Sequence, residues 1–153
     1  MAEGRQAPAT VHRLRALTVV LDEAAGAFAV ARGLSRTDVR ALIALLDRER
    51  AGEPTSPTLL AGDLGLTTAS VTALLDRLER AGHVRRTPRR DDRRRVDLAV
   101  EDSAKELGWS LFGPLIEATR SLLARRTPVE RQVVDAFLDD MLAALGPLTS
   151  PAR

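Results

Sequence analysis

Apolar residues return every three to four positions through most of this chain, a spacing that predicts helices. Leu14, Leu17, Leu21, Ala25 and Phe28 form one such stripe between Val11 and Ala31, and Gly33 ends it. Ser35 is suited to cap a second helix, with Asp38 at its third position and Val39, Leu42, Ile43 and Leu46 along one side. The stretch AGEPTSP, residues 51–57, reads as a loop. Ser56 then caps a short third helix with Pro57 at its first position, where the missing N–H costs nothing, and Leu60 and Leu64 face inward up to Gly65. Thr67 or Thr68 caps a fourth helix carrying Val71, Leu74, Leu75 and Leu78, and Gly82 closes it.

The period then changes. Val96, Leu98 and Val100 alternate with Asp97 and Ala99, so Val96–Val100 and the preceding Val84–Thr87 are predicted as two short strands. Helical spacing resumes after Asp102 or Ser103 and runs to about Arg126, with Gly113 and Pro114 inside it. A proline there removes a backbone hydrogen bond and predicts a kink or a split. Thr127, Pro128, Val129 and Glu130 form a capping-box pattern, and the last helix presents Val134, Phe137, Leu138, Met141, Leu142 and Leu145 on one side. Residues 1–10 read as a loose tail.

Composition narrows the function classes. A chain of 153 residues, 44% hydrophobic and 29% charged, is expected to form one folded domain. It has no cysteine, and His12 and His83 are its only histidines, so neither a cysteine-ligated nor a His-rich metal site is expected, nor a cofactor, while these counts leave open a two-carboxylate site on helices. The paired acids Asp22-Glu23, Asp91-Asp92 and Asp139-Asp140 point to different sides of their elements, and no nucleophile–base set accompanies them. An enzyme is not expected. The basic and apolar run HRLRALTVVL is interrupted by Asp22 and Glu23 and is too short to span a bilayer, which leads to an expected cytoplasmic location without a membrane partner.

Charge distribution is more informative. The net charge is only +2, but Arg77, Arg80, Arg85, Arg86, Arg89, Arg90, Arg93, Arg94 and Arg95 crowd one segment against Glu79, Asp91 and Asp92. A local basic patch on a nearly neutral protein points to a polyanion. It lies between the two predicted strands, so it reads as a hairpin tip. Immediately before it, LAGDLGLTTASVTALL places Ala61 four residues before Gly65 and ten before Val71. A small residue for close helix approach, a glycine for a tight turn and a branched anchor on the second helix are what a helix-turn-helix requires. Helix pair and basic hairpin together make a winged helix-turn-helix. The fold class is therefore mainly α with a small β-hairpin wing.

Double-stranded DNA is the partner this arrangement predicts. The second helix of the motif would enter the major groove by its N-terminal end, presenting Thr67, Thr68, Ala69, Ser70, Thr72 and Ala73, with Arg77 suited to a phosphate. The wing residues Arg86, Arg89, Arg90, Arg93, Arg94 and Arg95 would flank or enter the adjacent minor groove. Asp92 would pair with a neighbouring arginine and brace the tip.

The segment LAGDLGLTTASVTALLDRLERAGHVRRTPRRDDRRRVDLAV, with LLDRLERAGHVRR and the Asp92-Arg93-Arg94 triplet at its centre, resembles the MarR (multiple antibiotic resistance regulator) family. That resemblance covers nearly the whole chain. It implies a homodimer on a palindromic site, with an N-terminal dimerisation helix over residues 11–33, a DNA-binding domain over 34–101 and C-terminal dimerisation helices over 102–150 in one compact chain. The interface would draw on Leu14, Leu17, Leu21, Phe28, Val134, Phe137, Leu138, Met141 and Leu142. It further implies a repressor that a small apolar or aromatic effector releases from DNA, in a pocket drawing on Leu17, Leu21, Arg40, Ile43, Trp109 and Phe112. Two departures stand out: Arg89-Arg90 replaces the Asp-Pro common in family wings, and Ala73 replaces a long polar residue. The competing readings are a constitutive, architectural DNA-binding protein without an effector, and a winged helix that binds protein.

Overall fold

In a computed structural model, which describes residues 9–89 and 95–149, the chain divides between Val39 and Arg40 into two compact units. The first unit holds α1 (Ala9–Ala31) and the start of α2 (Arg36–Arg50). Gly33, at φ +66°, lets the chain reverse after α1, and the Leu34 N–H donates back to the Ala29 carbonyl at 2.9 Å. Ser35 and Asp38 cap α2 reciprocally: the Asp38 N–H donates to Ser35 Oγ and the Ser35 N–H to Asp38 Oδ2, both at 3.0 Å. Arg36 reaches Asp22 of α1 with one nitrogen on both carboxylate oxygens, at 2.7 and 2.8 Å. Gly26 leaves room for that guanidinium, since a Cβ there would lie 2.7 Å from it.

The second unit carries the rest of α2, then α3 (Pro57–Leu64), α4 (Thr68–Arg80), β1 (Val84–Pro88), β2 (Val96–Val100), α5 (Asp102–Leu123) and α6 (Pro128–Thr149). Its buried side chains include Leu42 and Leu45 from α2, where the expected Ile43 and Leu46 are only half-buried, Leu60 and Leu64 from α3, and Val71, Leu74, Leu75 and Leu78 from α4. Val84 and Leu98 come from the hairpin and Leu107 from α5. Arg48 pins α2 to α3 through two hydrogen bonds to Asp63, at 2.8 and 3.2 Å. Gly108 lets α5 come close to α2, because a Cβ there would sit 2.6 Å from Leu46 Cδ1.

Two local expectations change. The stretch around Thr55 is more than a loop: the Leu98 N–H donates to the Thr55 carbonyl at 2.8 Å, adding a single antiparallel bridge beside β2. Pro114 does not split α5, which runs unbroken from Asp102 to Leu123, three residues short of the expected end. Capping-box geometry does hold at α6, where Glu130 accepts from the Thr127 N–H at 2.8 Å and returns its own N–H to Thr127 Oγ1 at 3.3 Å. Among the described residues, no single helix is long and apolar enough to cross a membrane.

Candidate nucleic-acid interface

The turn between α3 and α4 sets the site. Ser56 caps α3, accepting from the Leu59 N–H at 3.3 Å, and Gly65 ends it in the left-handed region at φ +66°. The two helix axes turn through 109° across that break, within the range that helix-turn-helix pairs adopt. Thr67 is the cap of α4: its Oγ1 accepts from the Ser70 N–H at 3.2 Å and lies 2.9 Å from Ser70 Oγ. Val71, Leu74, Leu75 and Leu78 anchor the inner side of α4 in the core. Helical geometry then leaves Thr67, Thr68, Ala69, Ser70, Thr72, Ala73 and Arg77 exposed. Thr72 Oγ1 donates to the Thr68 carbonyl at 2.9 Å, so the oxygen facing outward retains only acceptor capacity.

The hairpin follows directly. β1 and β2 pair antiparallel, with Val84 opposite Val100 and Pro88 opposite Val96, and the Arg89 N–H extends the ladder to the Arg95 carbonyl at 2.9 Å. Its base is tied down by His83. Ser103 Oγ donates to the Gly82 carbonyl at 2.6 Å, so at 3.0 Å from His83 Nδ1 it must act as acceptor, which places the imidazole proton on Nδ1.

The wing arginines do different things. Arg85 donates to Glu101 at 2.7 Å, and Arg89 lies 3.9 Å from Asp97. Arg95 is exposed. Arg90, Arg93, Arg94 and Asp92 lie outside the described residues, and so does the brace expected of Asp92. Arg86 is half-buried and faces α4. Its guanidinium sits 2.6 Å from Glu79 and 2.8 Å from Asp76, and its own N–H donates to Glu79 Oε1 at 3.1 Å. Asp76 and Glu79, the partners of Arg86, are not singled out by any sequence pattern. The signal on Arg86 itself lies in period two: it stands two residues from buried Val84 and therefore shares its inward side.

The electrostatics follow from this cluster. Burial works against the Arg86 charge, but the hydrogen bonds to Asp76 and Glu79 outweigh it and raise the guanidinium above its ordinary range. Glu79 is held below its ordinary 4.5, first by the Arg86 N–H and then by the Arg86 side chain. The folded state thus favours the carboxylate, and the contribution of Glu79 is complete above its unfolded value and lost as pH falls through the folded one. In an NMR acid titration the Arg86 amide signal should move with a midpoint below 4.5. A midpoint at or above that value would contradict the pairing.

A separate hollow of about 730 Å³ opens between α2 and α5. Ile43, Leu46, Trp109, Phe112 and Ile116 supply its apolar lining. Its charged neighbours are mutually paired: Asp47 with Arg50 at 3.1 Å and Glu49 with Lys105 at 3.2 Å. Gly113 sits beneath the indole of Trp109, where a Cβ would lie 3.4 Å from the ring. Of the residues expected at an effector pocket, Ile43, Trp109 and Phe112 meet here. Leu17, Leu21 and Arg40 are exposed. Of the expected interface residues, Leu17, Leu21, Val134, Phe137, Leu138 and Leu142 are exposed, and Leu14, Phe28 and Met141 are half-buried.

Residues 34–96 match the profile of the MarR family. An HTH-type transcriptional regulator of Bacillus subtilis (strain 168), YcgE, is 38% identical over 126 residues, covering 82% of this chain and 77% of that protein. The HTH-type transcriptional regulator PecS of Dickeya dadantii (strain 3937) is 31% identical, over 63% of this chain and 58% of its own. Among solved structures, a point mutant of MepR from a multidrug resistant S. aureus clinical isolate superposes with a TM-score of 0.75 at 19% identity, over 92% of this chain and 99% of that one. The S. aureus MepR–DNA complex superposes with a TM-score of 0.60 at 20% identity, over 88% and 98% of the two chains. MepR bound to ethidium bromide does so at 0.63, with 20% identity over 88% and 95%.

Proposed function

The chain belongs to the MarR family of transcriptional regulators, and from that premise we propose that it is a homodimeric repressor that reads a palindromic DNA site and leaves it when a small aromatic effector binds. A regulator of this family is not an enzyme. The observation that carries the DNA reading is the exposed leading turn of α4, from Thr67 to Ala73, held out by a buried inner side and flanked by a basic hairpin. Helix N-termini favour phosphate through their unpaired N–H groups and dipole. Inside the major groove, Thr72 offers an acceptor to adenine or cytosine amino groups, and Ala69 and Ala73 suit thymine methyls. Arg77 and the outward wing arginines supply phosphate and minor-groove contacts.

Dimerisation is supported by α6. Val129, Val133, Val134, Phe137, Leu138, Leu142 and Leu145 all lie exposed along it, more apolar surface than a solitary helix keeps in water. A two-fold pairing would present two copies of α4 about one DNA turn, roughly 34 Å, apart. The effector reading rests on the α2–α5 hollow, whose volume falls among those of small-molecule sites. The ethidium bound to MepR is a flat aromatic, and a paired, nearly neutral set of charges beside Trp109 and Phe112 suits that class here.

The test is a titration of the protein against duplex DNA from upstream of its own gene and against unrelated duplex, across salt. Each phosphate contact should cost about 0.9 log units of affinity per tenfold rise in salt. Preference for the upstream duplex by orders of magnitude is expected, as is its loss on neutralising Arg93 and Arg94 together. Equal binding to both duplexes would favour an architectural protein. An effector should quench or shift Trp109 fluorescence, the protein's single tryptophan, and weaken DNA binding over the same concentration range. A ligand that moves the fluorescence and leaves DNA affinity unchanged would not be an inducer.

A further inference from the structure

β1 turns its arginines to opposite sides. Arg85 and Thr87 share one side, where Arg85 donates to Thr87 Oγ1 at 3.2 Å, while Arg86 lies on the side of buried Val84 and pairs in register with buried Leu98. This alternation aims Arg86 at α4 and away from the side that Arg85 takes. Asp76 and Glu79 stand three residues apart on α4, one turn, and so form a single acceptor edge. Arg86 spans it. One guanidinium nitrogen takes Glu79 at 2.6 Å, another takes Asp76 at 2.8 Å, and that second nitrogen lies 3.4 Å from the Thr72 carbonyl. The Arg86 N–H adds a backbone bond to the other oxygen of Glu79. A planar fork with several fixed donors can hold such an edge at one angle, and an ammonium cannot.

We propose that Arg86 is a positioning residue: it bridges Asp76 and Glu79 and so locks the wing to the recognition helix, letting the two meet DNA as one surface, and it is not itself a phosphate contact. This rests on the DNA-binding reading of α4. The bridge also masks two carboxylates that would otherwise face the polyanion, Asp76 being half-exposed.

Four variants, Arg86→Lys, Arg86→Gln, Glu79→Gln and Arg95→Gln, separate a bridge from a phosphate contact, each measured for affinity to the upstream duplex across salt. Arg86→Lys keeps the positive charge, which suffices for a phosphate but not for the bridge. It should lose roughly tenfold in affinity, the scale of a coupled pair, and its salt slope should match the wild type. Glu79→Gln gives the sharper sign. Removing a negative charge near DNA should tighten binding if charge alone mattered, whereas loss of the bridge should weaken it by a similar factor. Arg95→Gln, at an exposed wing position, should instead flatten the slope by about 0.9. Circular dichroism of each variant confirms the fold. Wild-type affinity in Arg86→Lys, tighter binding by Glu79→Gln, or a slope in Arg86→Gln flattened like that of Arg95→Gln would each overturn the proposal. Faster hydrogen exchange at the Arg86 amide in Glu79→Gln, without DNA present, is also expected. If the wild type binds no duplex, the DNA reading fails while exchange still reports on the bridge, and unchanged exchange would remove the bridge itself.

Discussion

Replacing Leu75 with alanine is expected to destabilise the protein by about 2–5 kcal/mol, a large part of the roughly 5–15 kcal/mol that holds a domain together. Leu75 is 1% exposed, on the inner side of α4 beside Leu74 and Leu78. The change removes buried methyl groups and leaves a cavity that the surrounding helices can only partly fill. For a chain of this size the melting temperature should fall by roughly 4–20 °C. The functional consequence follows from the same geometry, because the side chains that anchor α4 are what hold its exposed turn in place. DNA affinity should therefore drop in Leu75→Ala even at temperatures where the variant is folded. Ala73→Ser on the opposite side of the helix should change stability by no more than about 0.5 kcal/mol. A melting point within a degree of wild type for Leu75→Ala would show that α4 is not seated as described.

Much of this arrangement is legible because helix and strand periods are local properties. The stripe from Val71 to Leu78 specifies which side of α4 is buried, and so which residues remain exposed, without any knowledge of tertiary contacts. Gly65 and Thr67 mark the turn through backbone chemistry that few other residues satisfy. What the sequence obscures is pairing between elements. Arg86 looks like one more cation in a basic run; its pairing depends on β1 lying against α4, which carries Asp76 and Glu79. The period-two rule already puts it on Val84's side, but charge density is the louder signal. Thr55 is obscured for a related reason: one residue bridging to Leu98 has no period to detect. The hollow in the second unit is built from side chains of α2 and α5, and Leu46 and Ile116 belong to its apolar lining although no motif marks them. Pro114 shows the converse, since a local rule points to a kink or a split and α5 is not split there.

Phe137→Glu, alone or with Leu138→Glu, should turn a dimer into a monomer and cost about 10²- to 10⁴-fold in affinity for a palindromic site, the factor by which linked binding modules commonly exceed single ones. Phe137 and Leu138 are 42% and 47% exposed on α6, within the row Val134, Phe137, Leu138, Met141, Leu142 and Leu145. A carboxylate in the middle of that row would have to be buried unpaired if two copies met there, a cost of several kcal/mol. In the isolated chain it would simply be hydrated. The substitution therefore discriminates between an interface and a solvated helix. Sedimentation or light scattering should report the halved mass, and circular dichroism should show the helices of the winged unit intact. Binding to a single half-site should survive with its salt dependence reduced, because α4 and the wing are untouched, while cooperative occupation of the full site disappears. A variant that stays dimeric would place the interface elsewhere, and a monomeric wild type would remove the homodimer from the proposed function.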